Sequence, residues 1–294
     1  MKGVIVAGGT GSRLRPVTLA VGKQLLPVYD KPMIYYPLSV LMMAGIREIC
    51  LVTSAGERDR LAALLGDGAW LGCRFVYREQ AGPDGIADAM AQAADFVDGA
   101  PFALILGDNI FHGVGLVEEL TTLRQRFCAN ERPGARIFTF PVREPERYGV
   151  LHRNRTGTPV DIVEKPQDRR SKEAIVGLYF YDGRAMAYAR SLAPSARGEL
   201  EISDINRRYL ANGELAAKHL GRGYVWFDAG TPDALMQASS FVHALEERQG
   251  LKMSCPEEVA YRKGFISTDD LQSLADSMGN SPYGAYLAQI AAET

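Results

Sequence analysis

Directly after an apolar, strand-like run at Gly3–Ala7 comes Gly8-Gly9-Thr10-Gly11-Ser12-Arg13. Three glycines and two hydroxyl residues expose backbone N–H groups in a tight loop, which is the chemistry that holds phosphate oxygens. Arg13 adds a guanidinium able to grip phosphate with two bonds, and Lys23 adds a point charge downstream. Glycines alone would serve equally well in a turn that only reverses the chain, so Arg13 is what favours phosphate. Leu14 stands where a dinucleotide fingerprint needs its third glycine, and Gly22-Lys23 is followed by Gln24 where a Walker loop has a hydroxyl. A nicotinamide-dependent dehydrogenase and a P-loop enzyme are thereby disfavoured.

Two aspartates end apolar runs far apart in the chain: Asp108 after Leu104-Ile105-Leu106-Gly107, and Asp228 after Tyr224-Val225-Trp226-Phe227. Each has an ordinary explanation, Asp108 as a turn or helix cap and Asp228 as a cap beside Thr231 and Pro232. Brought together, they would form a hard-oxygen site for Mg²⁺, which takes one or two carboxylates plus substrate phosphates. A third run, Asp161-Ile162-Val163-Glu164-Lys165-Pro166, places an acid and a base at a strand end, where they are either a solvated pair or ligand contacts. The proline predicts an extended backbone at Lys165. In Arg197-Gly198-Glu199-Leu200-Glu201-Ile202-Ser203, Ser203 is read as a helix cap and Glu199 as free to face a ligand.

The 294 residues carry 33 lysines and arginines against 35 acids, a net charge of −2 with no long basic stretch, which argues against a nucleic acid polymer as partner. Cys50, Cys73, Cys128 and Cys255 are scattered, each among residues able to bury it, so neither a zinc cluster nor a disulfide framework is expected. His112, His152, His219 and His243 show no metal-ligand spacing, and there is no nucleophile elbow or kinase catalytic loop. No segment approaches the roughly 20 apolar residues of a membrane helix, and glycines interrupt the first apolar run too early for a signal peptide. A cytoplasmic protein without a cleaved leader is expected.

The elements that must position these residues follow from periodicity. Strands are expected at Gly3–Ala7, Ile49–Thr53, Arg74–Tyr77, Phe102–Leu106 and Arg136–Phe140, with helices at Pro32–Ala44, Arg58–Leu65, Ile86–Phe96 and Leu116–Phe127 between them. That alternation predicts an α/β fold with a largely parallel sheet, whose ligands sit at the carboxyl ends of the strands. From about residue 143 the strands come closer together, at Gly149–Leu151, Pro159–Glu164 and Ile175–Tyr181, and read as α+β material beside the first sheet. Pro232–Glu247, Pro256–Lys263, Thr268–Ser277 and Pro282–Ala292 read as helices. The expected division is a core over 1–230 and a helical region over 231–294 making oligomer or regulatory contacts.

Taken in order, Gly8–Leu14, Lys23–Met33, Pro83-Asp84-Gly85, Leu106–Asn109, Glu146–Val150, Glu164-Lys165-Pro166, Gly177–Asp182, Arg197–Ile202 and Arg248–Lys252 resemble the sugar nucleotidyltransferases, in the branch that joins a thymidylyl group to glucose 1-phosphate. The resemblance runs along nearly the whole chain. It implies a Rossmann-like, mixed-sheet nucleotidyltransferase core with an α+β sugar-binding half and C-terminal helices, and an Mg²⁺-dependent reaction of dTTP with glucose 1-phosphate giving dTDP-glucose and pyrophosphate. It further implies a homotetramer. By motif position, Arg13 and Lys23 would hold the triphosphate over the Gly8, Gly9, Thr10 and Gly11 loop, and Asp108 with Asp228 the metal. Lys165 would meet the sugar phosphate, while Tyr148, Gly149, Glu164, Val176 and Glu199 surround the glucose, and Gln80 with the Gly85 backbone reads the thymine. Two departures stand out. Relatives often carry Ser-Pro-Asp-Gly-Leu-Ala-Gln beside the base, where this chain has Gly82-Pro83-Asp84-Gly85-Ile86-Ala87-Asp88, leaving dTTP or UTP open. His112 replaces a tyrosine at a regulatory nucleotide site that relatives form with the helices around Glu258 and Arg262. The alternatives are a uridylyl- or adenylyltransferase on the same scaffold and a catalytically silent nucleotide-sugar sensor.

Overall fold

The computed structural model describes residues 1–129, 134–168 and 170–293. Its centre is a nine-stranded mixed sheet. Lys2–Ala7 lies between Glu48–Ser54 and Phe102–Leu106, parallel to both, and Arg74–Gln80 extends the parallel part beyond Glu48–Ser54. Along Lys2–Ala7 the side chains alternate between two cores, Ile5 and Ala7 to one and Val4 to the other, as a strand covered on both faces requires. Chain order reverses at this strand, so its carboxyl end and that of Phe102–Leu106 flank the crevice where ligands bind in such sheets.

The later strands do not form material beside this sheet, as their close spacing led one to expect; they continue it. Glu173–Tyr181 pairs antiparallel with Phe102–Leu106, Leu178 opposite Ile105, and carries Gly149–Arg153 and Pro159–Glu164 outward on one side. Ala135–Pro141 also pairs with Glu173–Tyr181 and, in parallel, with Leu215–His219. Burial decides it: every residue from Ala174 to Tyr181 is buried, which an edge facing a second unit could not achieve.

Arg58–Leu65, Pro159–Glu164, Thr268–Ser277 and Pro282–Ala292 begin and end where expected. Local chemistry explains the helix starts: Ser267 and Asp270 form a reciprocal capping box, Ser281 Oγ accepts from Gly284 N, and Thr231 Oγ1 accepts from Ala234 N with Pro232 in the first turn. The first long helix starts late, at Tyr35, because Lys31–Pro32 pair with Pro27–Val28 and the Met33 and Ile34 amides donate to Leu26 and Gln24. The helix expected over Ile86–Phe96 divides at Ala93 into Ile86–Gln92 and Ala94–Val97. Cys50 and Cys255 are buried and Cys73 packs half-buried against the core, whereas Cys128 is exposed; all four are free thiols.

Pro232–Gln249 packs across Val28, Met33, Tyr36 and Ile110. The fully buried Lys31 ammonium is neutralised there by Asp30 (2.6 Å) and Glu246 (2.9 Å), and Lys252 pairs with the same two acids. The helical region is thus tied to the core through desolvated, fully paired charges. Among the described residues no helix is long and apolar enough to cross a membrane.

Candidate active site

A cleft of about 260 Å³ opens at the carboxyl ends of the central strands, lined by Gly8, Arg13 and Lys23 from early in the chain and by Tyr148, Glu164, Lys165 and Glu199 from its later part. Asp108 and Asp228 lie in it together. A short antiparallel pair achieves this: Asn109–Gly113 runs against Tyr224–Asp228 with Asp228 opposite Asn109, and the Ala229 amide donates to the Asp108 carbonyl at 3.0 Å. Neither aspartate is a helix cap, since Thr231 takes that position for the helix that follows Asp228.

Asn109 holds the junction. Its Nδ2 donates to Asp108 Oδ1 (3.0 Å), while its Oδ1 accepts from Gly177 N (3.1 Å) and Trp226 Nε1 (2.6 Å), so one buried amide joins three strands. Gly177 must be glycine for this: a Cβ there would stand 2.7 Å from Asn109 Oδ1 and 2.6 Å from Leu106 Cγ. Lys23 Nζ donates to Asp108 Oδ2 at 2.5 Å.

The two carboxylates are electrostatically unequal. Burial raises both; at Asp108 the Lys23 ammonium and the Asn109 amide outweigh it and hold the group below the ordinary carboxylate range. At Asp228 burial and then the Asp108 charge push the group up, against Arg13, Lys23 and Arg147. Arg147 Nη2 is 3.8 Å from Asp228 Oδ2. Two like charges crowded at one cleft are a hard-oxygen pair short of positive charge, and that suits a divalent cation. Among the described residues no third histidine, cysteine or carboxylate joins the pair, so such a cation would draw further oxygens from substrate and water.

Lys165, which also lines the cleft, has φ of 43°, not the extended backbone its proline predicts. A non-glycine residue in the left-handed region before proline costs about 1–3 kcal/mol and persists only where its surroundings impose it. Here the Lys165 amide donates to Tyr148 O (3.0 Å), closing the strand pair and turning the side chain into the cleft. Among the described residues the ammonium has no ion-pair partner.

Glu164 is held by Ser203 Oγ at 2.5 Å and by Arg197 at 3.5 Å, and Arg197 also meets Glu199 (2.8 Å) and Glu201 (3.2 Å). Burial, then the neighbouring Glu164, raise the Glu201 carboxyl. Ser203 is not the cap expected of it: Glu201 takes that position, the helix begins at Ile202, and the hydroxyl orients Glu164 instead. A Cβ on Gly149 would stand 2.7 Å from Ser203 Oγ, so its missing side chain keeps this corner open. Tyr148 packs edge-on to Trp226 (5.2 Å) beneath the Arg147 guanidinium.

Val176 does not present its side chain to the cleft. Strand alternation turns it into the core, where it is fully buried, and Ile175, Gly177 and Tyr179 line the wall. Gly9 and Thr10 are exposed in the open loop beside Gly11, and Gln80 with Gly85 sits at the Gly8 edge, outside the cleft lining. Arg147, Arg197, Asn109 and Ser203 are site residues that motif spacing did not single out. Their signal was present: all lie within or beside the runs that carry the family resemblance.

A nucleotidyl transferase family profile matches residues 2–244. The glucose-1-phosphate thymidylyltransferase of Xanthomonas campestris pv. campestris is 51% identical over 290 residues, covering 99% of this chain and 97% of its own. That of Neisseria meningitidis is 48% identical over 290 residues, covering 99% of both chains. A Bacillus anthracis crystal structure described as a glucose-1-phosphate thymidylyltransferase, in complex with a sucrose, superposes with a TM-score of 0.75 at 39% identity over 82% of this chain and 94% of that one. A UDP-glucose pyrophosphorylase with UDP-glucose shares the fold at a TM-score of 0.72 and 23% identity, covering 83% of this chain and 98% of its own. With a glycine-rich loop, a carboxylate pair and a strained lysine meeting at one cleft, the chain belongs to the nucleotidyl transferase family, in the branch of the glucose-1-phosphate thymidylyltransferases.

Proposed function

We propose that this chain transfers a thymidylyl group from dTTP to α-D-glucose 1-phosphate, giving dTDP-glucose and pyrophosphate. The observation that supports the reading is the charge set gathered in one cleft: the cations Arg13, Lys23 and Lys165 together with the Asp108–Asp228 carboxylate pair. A sugar-phosphate oxygen forms a bond to the α-phosphorus as the α–β bridging bond breaks, so positioning and charge neutralisation matter more than a strong base. Arg13 and Lys23 hold the triphosphate and take up the charge that gathers on the departing pyrophosphate. Lys165 holds the phosphate of glucose 1-phosphate against a second anion that would repel it. Glu164 and Glu199, oriented by Ser203 and Arg197, accept from sugar hydroxyls, and Gln80 with the Gly85 backbone meets the base.

Asp108 and Asp228 would hold Mg²⁺, which when bound offsets charge on the α-phosphoryl oxygens. Assembly as a homotetramer and residence in the cytoplasm belong to the same proposal and rest on the family resemblance. A pyrophosphate-release assay across nucleotides and sugar phosphates tests the substrates. The highest kcat/KM is expected for dTTP with glucose 1-phosphate; a higher value with UTP or ATP would reassign the nucleotide, and no release with any pair would leave only a binding protein.

The displacement is expected to be direct. Burial pushes the Cys50 thiol up to about 12 and the Cys73 thiol up to about 11, so neither offers a thiolate. The Ser203 hydroxyl is engaged with Glu164 among the proposed sugar contacts. Incubation with α-labelled dTTP and Mg²⁺ alone should leave no label on the denatured protein. Stable labelling, or ping-pong kinetics, would replace this mechanism with a two-step one.

A further inference from the structure

The departure at Asp88 has a structural consequence. Gln80 ends the Arg74–Gln80 strand, is 6% exposed, and its Nε2 donates both to the Gly85 carbonyl (3.0 Å) and to Asp88 Oδ2 (2.9 Å). Both partners only accept, so the amide nitrogen is pinned toward them and the amide oxygen must face the other way. It does: a Cβ built on Gly8 would stand 3.1 Å from Gln80 Oε1, which puts that oxygen beside the proposed nucleotide loop. The second Asp88 oxygen accepts from Gln92 Nε2 at 3.4 Å, one helical turn on.

We propose that Asp88 is a positioning residue for base selection, fixing the Gln80 amide so that its oxygen accepts from the N3–H of a 4-oxopyrimidine and opposes cytosine. The proposal rests on the reading of Gln80 as a base contact. Thymine and uracil carry a hydrogen at N3, whereas cytosine carries a lone pair there and an amino group at C4. A fixed acceptor therefore binds the first two and repels the third, while an amide free to rotate would accommodate either. A glutamine in place of Asp88 could itself donate and would tolerate both orientations of Gln80. Asp88 cannot donate when ionised.

The plain structural role is also available, because Asp88 is in the first turn of the Ile86–Gln92 helix, where an acid is favourable. The two roles separate in the ratio of kcat/KM for dTTP to that for dCTP, measured with glucose 1-phosphate on the same sample. A stability loss scales both nucleotides alike and leaves the ratio unmoved. Asp88→Asn, nearly isosteric and able to donate to a rotated Gln80, and Asp88→Ala, which removes the acceptor, should each lower the ratio by about tenfold, the size of one charge-assisted hydrogen bond's preference. The dTTP to dUTP ratio should hold within about twofold in both, since these bases share the N3 edge. A dTTP to dCTP ratio within about twofold of the parent in both variants would overturn the proposal. Gln80→Leu separates the two layers: if it raises KM for dTTP while the Asp88 variants keep the ratio, only the role of Asp88 falls; if it leaves KM unchanged, the base-contact reading falls with it.

Discussion

Asp108→Asn and Asp228→Asn should each lower turnover by about two to four orders of magnitude in saturating Mg²⁺, and their effects on stability should be opposite in sign. The shared loss follows from chemistry: a site with two carboxylates that gives up one keeps half its anionic ligands for a hard cation, whose charge stabilisation is several kcal/mol. The opposed stabilities follow from the unequal environments. The Asp108 carboxyl is held low by Lys23 and Asn109, so it stabilises the fold at all pH above its unfolded value and loses that contribution as pH falls through its folded value. Its amide leaves the Lys23 ammonium without its partner and should lower Tm without metal by about 2–6 °C. The Asp228 carboxyl is held high by burial and by Asp108, so its charged form opposes folding once pH rises past the unfolded value and carries the full penalty above the folded one. Neutral Asn removes that penalty, and Tm in a chelator should hold or rise. Turnover kinetics with a Mg²⁺ titration and scanning calorimetry in EDTA check both halves. Near-normal turnover in both variants would remove the metal assignment; a fall in Tm for both would remove the asymmetry.

The second large effect divides the cleft between its two substrates. Lys165→Met keeps most of the side-chain volume and removes the charge. Glucose 1-phosphate binding should weaken by about one to two decades, with a further loss in turnover, while dTTP affinity by calorimetry stays nearly unchanged. Arg13→Met should act mainly on kcat, because pyrophosphate gains charge as it leaves. Arg13 also lies close to the carboxylate pair: a Cβ on Gly230 would stand 2.6 Å from Arg13 Nη2 and 3.0 Å from Asp228 Oδ1. Removing that cation takes away one of the positive charges facing the carboxylate pair, so the Mg²⁺ concentration for half-maximal rate should not rise in the variant. Equal, small effects of both substitutions on both substrates would mean that these two cations only solvate the cleft's rim.

How the chain turns locally was legible before any tertiary contact was known. Thr231-Pro232, Ser267 with Asp270, and Ser281-Pro282 start helices through bonds that span three residues, and the glycines before Arg13 allow an open loop after a strand whose side chains are apolar on both faces. These features depend on neighbours in sequence, and so they could be read from it together with the expectation of phosphate chemistry at strand ends. The meeting of Asp108 and Asp228 could not. It depends on Asn109–Gly113 pairing with Tyr224–Asp228, a ladder whose Asn109–Trp226 bond joins residues 117 apart, and pairing at that separation is selected by the packed core rather than by local preference. Tertiary context likewise overrode local expectation at Lys165, where the bond to Tyr148 holds a left-handed backbone that proline disfavours, and at Ser203, which left the capping role to hold Glu164. Val176 shows the same limit in miniature: its strand was legible, but which side of that strand faces the cleft was settled by the register with Phe102–Leu106, because a shift of one residue exchanges the buried face for the open one.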